Sequence, residues 1–121
     1  MTINDTLNYL LARRTKIVLP FSAQVTTAST YLKGGGGESG DGTPVPRGGR
    51  LIGLQVWDGL ALKSASDELA LAAGDRVSLY ATYGAGTFTV TARINGLDST
   101  LAAGAVGPNT TLFASLELIL G

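Results

Sequence analysis

The side chains of this chain that could do chemistry are few. Its acids are Asp5, Glu38, Asp41, Asp58, Asp67, Glu68, Asp75, Asp98 and Glu117. A glycosidase needs two such groups facing each other across a cleft. Here they fall in turn sequences and on outward strand positions, which favours solvated surface. There is no His and no Cys. That removes the commonest acid–base catalyst, the usual partner of a nucleophilic Ser, the commonest zinc ligand and every thiolate. The expectation is a protein that is not an enzyme, with no catalytic residue, cofactor or metal ligand.

The remaining motifs are weak. Gly35-Gly36-Gly37-Glu38-Ser39-Gly40 matches the dinucleotide fingerprint in letters only. Thr43-Pro44-Val45-Pro46 follows, so no helix opens soon enough to receive a pyrophosphate. Lys63 beside a Ser carries almost no information about a nucleophile. Calcium held by loop carboxylates is conceivable, but the calcium-loop pattern is missing. Trp57 is more informative. By alternation it points away from Ile52, Leu54 and Val56, toward the face of Leu51 and Gln55. An outward Trp at a strand end suits a subunit interface or a sugar-stacking platform. It is also compatible with a strand covered on both faces. Tyr80 follows the same outward logic.

Composition narrows the class. The chain has 121 residues, room for one modest core. Nine basic residues balance nine acidic ones, so a partner coated in phosphate is not expected. Charged residues make up 15%, against roughly 25% in an average domain. Glycine accounts for 17 residues, about twice the usual ~7% share. Few charges and no net charge leave little to hold copies apart. The charge is uneven, with six basic and three acidic residues in 1–50 and the reverse in 51–121.

The N-terminus shows no secretory pattern. Arg13-Arg14 before Ile17-Val18-Leu19 looks faintly like a twin-arginine signal, but Pro20 and Ser22 interrupt the apolar run. No stretch is long and apolar enough to suggest a membrane span. Residues 3–14 read as a short helix. Thr2 and Asp5 have capping-box spacing, and Arg13, Arg14 and Lys16 suit the helix C-terminus. Ile3, Leu7, Leu10 and Leu11 share one helical face. That face must rest either on its own domain or on a neighbouring subunit, since so short a helix is marginal alone. Residues 1–15 are therefore expected to be a helical arm, and 16–121 a single domain.

The body alternates with period two. Residues 17–25 turn Ile17, Leu19, Phe21, Ala23 and Val25 to one face, and Pro20 marks an edge strand or a bulge. Residues 51–57 turn Ile52, Leu54 and Val56 inward. Residues 76–83 turn in Val77, Leu79, Ala81 and Tyr83; residues 87–94 turn in Phe88, Val90, Ala92 and Ile94. Residues 111–120 turn in Leu112, Ala114, Leu116, Leu118 and Leu120, with Glu117 out. Gly84-Ala85 suggests a type II′ hairpin and Asn95-Gly96 a type I′ one. Ala73-Gly74-Asp75 and Gly107-Pro108-Asn109 read as turns. Strands with one apolar face each need a second sheet. The expected fold is all-β, an antiparallel sandwich or jelly roll. Residues 34–49, which hold eight glycines, read as one long loop, mobile or contacting another subunit. Leu71-Ala72-Ala73-Gly74 recurs as Leu101-Ala102-Ala103-Gly104, too little for a repeat architecture.

Three stretches carry a resemblance. They are Gly49-Arg50-Leu51-Ile52-Gly53-Leu54-Gln55-Val56-Trp57, Leu71-Ala72-Ala73-Gly74-Asp75-Arg76-Val77-Ser78-Leu79, and Thr87-Phe88-Thr89-Val90-Thr91-Ala92. Together they resemble the small jelly-roll domains of tailed-bacteriophage virions, in head decoration (cement) proteins and tail appendages. The middle turn is also similar to that of trimeric tumour-necrosis-factor-like and complement-type globular heads. The resemblance implies a capsid decoration protein, made in the host cytoplasm. It would sit on the outer surface of the virion as a homotrimer, bound to the major capsid protein. Ile3, Leu7, Leu10, Leu11 and Trp57 would then serve subunit or capsid contacts, with neither nucleic acid nor membrane as partner. The alternative is a carbohydrate-binding module of a tail or similar appendage, taking a host glycan through Trp57, Tyr80 and the loops.

Overall fold

A computed structural model describes residues 15–34 and 42–121. The arm with Ile3, Leu7, Leu10 and Leu11, and part of the glycine-rich stretch, lie outside those residues. Within them the chain is all-β, in two antiparallel sheets. The long strands are β1 (Thr15–Val25), β5 (Gly49–Trp57), β6 (Leu62–Leu71), β7 (Arg76–Gly84), β8 (Thr87–Ile94), β9 (Leu97–Val106) and β10 (Thr110–Leu120). Three two-residue strands complete the set: β2 (Thr30–Tyr31), β3 (Lys33–Gly34) and β4 (Thr43–Pro44). One sheet runs β3-β1-β10-β5-β6 and the other β2-β7-β8-β9, with β4 also on β7. Thr15 belongs to β1 and lies opposite Leu120 on β10.

The inward residues meet in one core. Leu112, Ala114, Leu116, Leu118 and Leu120 from β10 face it together with Val77, Leu79, Ala81, Phe88, Val90 and Ala92 from β7 and β8. Two sheets that each turn one apolar face inward bury both by packing against each other. Thr100 Oγ1 on β9 donates to Asp67 Oδ2 on β6 and joins the two sheets along one side. Among the described residues β1 pairs on its outer side with the two-residue β3, Phe21 opposite Gly34 and Ser22 opposite Lys33. Pro20 in β1 has no N–H to donate to a ladder.

Four expectations need correction. Leu51 is fully buried, whereas Ile52 is only half-buried. The register between β5 and β10 slips from Glu117–Gly53 to Leu118–Leu51, so Ile52 is an extra residue. A bulge shifts the alternation by one and exchanges which side chains face the core. Second, the hairpin between β7 and β8 turns at Ala85-Gly86, not Gly84-Ala85. Gly84 pairs with Thr87, and Ala85 and Gly86 have φ of 53° and 83°, which is a type I′ turn. Third, 34–49 is not one loop. Gly34, Thr43-Pro44 and Gly49 are in strands. Val45 is buried and bonded to the turn before β7, through Val45 N–H to Asp75 O at 2.9 Å and Gly74 N–H to Val45 O at 2.8 Å. Fourth, residues 62–71 and 97–106, which show no clear alternation, are the strands β6 and β9. Their sequences, LKSASDELAL and LDSTLAAGAV, are rich in Ala, Ser, Asp and Gly, which strands disfavour when judged locally.

Candidate functional site

At the end of β5 the chain reverses through Asp58–Ala61. The Asp58 carboxylate accepts N–H bonds from Leu60 at 2.9 Å, Ala61 at 2.8 Å and Gly107 at 3.2 Å. Thr110 Oγ1 donates to the Asp58 carbonyl at 3.2 Å. Gly59 has φ +92°, a left-handed value that glycine adopts without strain. One buried carboxylate thereby ties the β5–β6 turn to the connection between β9 and β10. The backbone N–H groups of Ala61, Leu60 and Gly107, aided by the positive charge of Lys63, hold its pKa below the ordinary value.

This clasp fixes the strand ends beside it. Trp57 lies directly opposite Phe113 on β10 and Leu62 on β6. Opposed residues on one face of a sheet have their Cβ atoms about 5 Å apart, so the three side chains form a row across β10, β5 and β6. All three are on the outer face. Trp57 is 44% exposed, Phe113 57% and Leu62 56%, and Leu60 in the adjoining turn is 91% exposed. The next row inward along the strands is Pro20, Ser115, Gln55 and Ser64. Neither row carries a charge across β1, β10, β5 and β6. Charges stand at the β3 end of the first row, where the exposed Lys33 lies opposite Ser22, and near the other end of the face, as the pairs Lys16–Glu117 at 3.7 Å and Arg50–Glu68 at 3.8 Å.

An uncharged, aromatic patch with a Ser and Gln margin has the composition of an interface centre. Covering the exposed part of each large side chain would contribute on the order of 1 kcal/mol. Such a row can hold a partner weakly by itself and firmly only in concert with further contacts.

The outer face of the second sheet is built differently. Tyr31 on β2 lies opposite Tyr80 on β7, with ring centroids 4.6 Å apart and planes inclined by 59°. The Arg93 guanidinium sits 4.0 Å from the Tyr80 centroid and 5.3 Å from that of Tyr31. Its Nη1 donates to the Tyr31 hydroxyl at 2.5 Å and its Nε to Asp98 Oδ1 at 2.7 Å. The Asp98 bond raises the Arg93 pKa further. These rings are already packed together under a cation, which also bonds the Tyr31 hydroxyl and Asp98.

Trp57 is thus outward, as the alternation suggests. Tyr80 is outward too, but on the other sheet and half-buried. The two cannot form one sugar platform, because they face away from each other across the sandwich. Ile3, Leu7, Leu10 and Leu11 fall outside the described residues. Phe113 and Leu62 were missed. Phe113 was legible, standing between inward Leu112 and Ala114; Leu62 was hidden because β6 was not read as a strand. Among the described residues no cluster of acids has the grouping to hold a metal ion. No helix there is long and apolar enough to cross a membrane. Comparison with family models, with curated proteins and with solved structures finds no match to this chain.

Proposed function

We propose that this chain is a structural protein of a virion, a capsid decoration or cement protein that stabilises a phage head as a homotrimer. The observation that carries the reading is the Phe113–Trp57–Leu62 row, three large exposed apolar side chains side by side on the outer face of one sheet. The low charge content of the chain agrees with it. The jelly-roll character of the sandwich belongs to the same proposal. β10 lies between β1 and β5, a long-range return of the kind that jelly rolls use, although the β7–β8–β9 meander is plainer than theirs. The mechanism is additive burial. Each subunit covers apolar surface of the major capsid protein and of its own copies, through the row and through Ile3, Leu7, Leu10 and Leu11. Weak contacts repeated around a symmetry axis then act together.

The test is a double variant, Trp57→Ser with Phe113→Ser, compared with the unaltered chain by light scattering and by binding to undecorated heads. The expected result is an unaltered fold with loss of trimer and of head binding. Retention of both would overturn the reading. A second reading, a host-glycan module, rests on the exposed ring of Trp57 alone. It requires glycan-array binding that Trp57→Ala abolishes.

A further inference from the structure

Asn95 and Gly96 make the two-residue turn between β8 and β9, with φ of 55° and 80°. Both are exposed, and a Cβ placed on Gly96 would meet nothing within 4 Å. The Asn95 side chain is nevertheless held at both ends. Its Oδ1 accepts the Arg76 N–H at 3.0 Å, and its Nδ2 donates to Asp75 Oδ1 at 3.1 Å. Asp75 Oδ2 in turn accepts the Ala72 N–H at 2.8 Å. The clamp joins the turn before β7 to the turn after β8.

The geometry points to Asn95 as a covalent modification site, at which water converts the side-chain amide to a carboxylate under the control of Asp75. The Gly96 backbone nitrogen loses its proton and attacks Asn95 Cγ. A Cγ–N bond forms, the Cγ–Nδ2 bond breaks, and ammonia leaves. Water then opens the cyclic imide at either carbonyl, giving aspartate or isoaspartate. The net change is amide plus water to carboxylate plus ammonium, with no oxidant or cofactor. Glycine as the second residue leaves the attacking nitrogen uncrowded, and the exposed turn admits water.

Asp75 opposes this step in two ways. Ring closure must release the Nδ2 bond that Asp75 accepts. The Asp75 charge also disfavours the anionic nitrogen that begins the attack. The product reverses the relation, because a carboxylate at 95 faces that of Asp75 and the clamp becomes a repulsion. Asp58-Gly59 has the corresponding order of an acid before glycine, but its carboxylate is buried and engaged by three N–H groups. It is therefore not a second site of this kind.

The test incubates the full chain at mildly alkaline pH and follows residue 95 by peptide mass spectrometry. Unaltered protein, Asp75→Asn and Gly96→Ala are compared, with Trp57 fluorescence verifying that each is folded. Conversion is expected at Asn95 in the native protein. It should be roughly three- to tenfold faster in Asp75→Asn, the factor that replacing a charge-assisted acceptor by a neutral one makes in a rate, and strongly slowed in Gly96→Ala. Conversion seen only after unfolding in urea would overturn the native site. Equal rates in the unaltered protein and Asp75→Asn would overturn the control by Asp75. A further variant, Asn95→Asp, should raise the unfolding constant about tenfold at neutral pH, and this loss should vanish in acid. A loss independent of pH would contradict the repulsion.

Discussion

The two outer faces of the sandwich carry similar numbers of aromatic rings and use them in opposite ways. On the β7–β8 side, Tyr31 and Tyr80 pack against each other with tilted rings, and Arg93 covers them while bonding Tyr31 and Asp98. On the β5–β10 side, Trp57, Phe113 and Leu62 stand in a row with nothing over them among the described residues. Aromatic content therefore does not distinguish a structural cluster from a docking surface. What distinguishes them is whether the chain itself already satisfies the group. A packed and bonded cluster stabilises the fold that contains it. An uncovered row gains only when something else arrives, so it points outward to a partner.

The contrast can be broken most strongly at Asp58, whose carboxylate fixes the strand ends that present the row. Asp58→Ala removes the charged acceptor of three backbone N–H groups in a part-buried turn. It should cost about 2–3 kcal/mol in chemical denaturation and dissolve the row along with the turn. The same group predicts a pH response. Its folded pKa is lowered, so its stabilising contribution is present above the unfolded value. That contribution is lost as the pH falls through the ordinary carboxylate range toward the folded pKa. Melting temperature against pH should therefore decline more steeply in acid for the unaltered protein than for Asp58→Asn. Identical profiles would mean that the clasp contributes nothing.

Arg93→Ala tests the other face. It deletes the contact with both rings and the bond to Asp98, and about 1 kcal/mol of stability should go with it. Association of the protein should be untouched. The smallest effect on stability belongs to the row itself. Phe113→Ser should change the free energy of unfolding by no more than about 0.5 kcal/mol, because the ring is mostly in water already. Its effect should instead appear in assembly. A large loss of stability in Phe113→Ser, or a loss of assembly in Arg93→Ala, would reverse the assignment of the two faces.

Much of the fold was legible because burial repeats along a strand with period two. β8 and β10 alternate throughout, and β7 departs from alternation at the buried Ser78; their inward apolar residues are those of the core or pack against it. The alternation failed where a bulge intervened. Around Ile52 the local pattern points one way, and the slip in register against β10 turns Leu51 inward instead. The local sign of that extra residue is Gly53 beside it, since a glycine inside a strand often marks a bulge. β6 and β9 were missed because their side chains are small and polar; tertiary pairing, rather than propensity, makes them strands. The two copies of Leu-Ala-Ala-Gly make the same point. Leu71–Gly74 leaves β6 and enters a turn, while Leu101–Gly104 lies inside β9. Identical residues take two structures because different neighbours offer their hydrogen bonds.

The candidate surface divides in the same way. That Trp57 and Phe113 point away from the core follows from alternation, and the absence of His and Cys needs no structure. Whether an outward aromatic stays uncovered depends on which strands lie beside it. β5 was placed between β10 and β6 by pairing across more than fifty residues of sequence, and that pairing aligned Phe113, Trp57 and Leu62. On the other sheet, pairing β2 with β7 and β8 with β9 brought Tyr31, Tyr80, Arg93 and Asp98 together and closed them on each other. The local chain determines which way a side chain faces, because backbone geometry sets the alternation. Only the register and order of the sheets decide what it meets there, because those contacts come from residues distant in sequence.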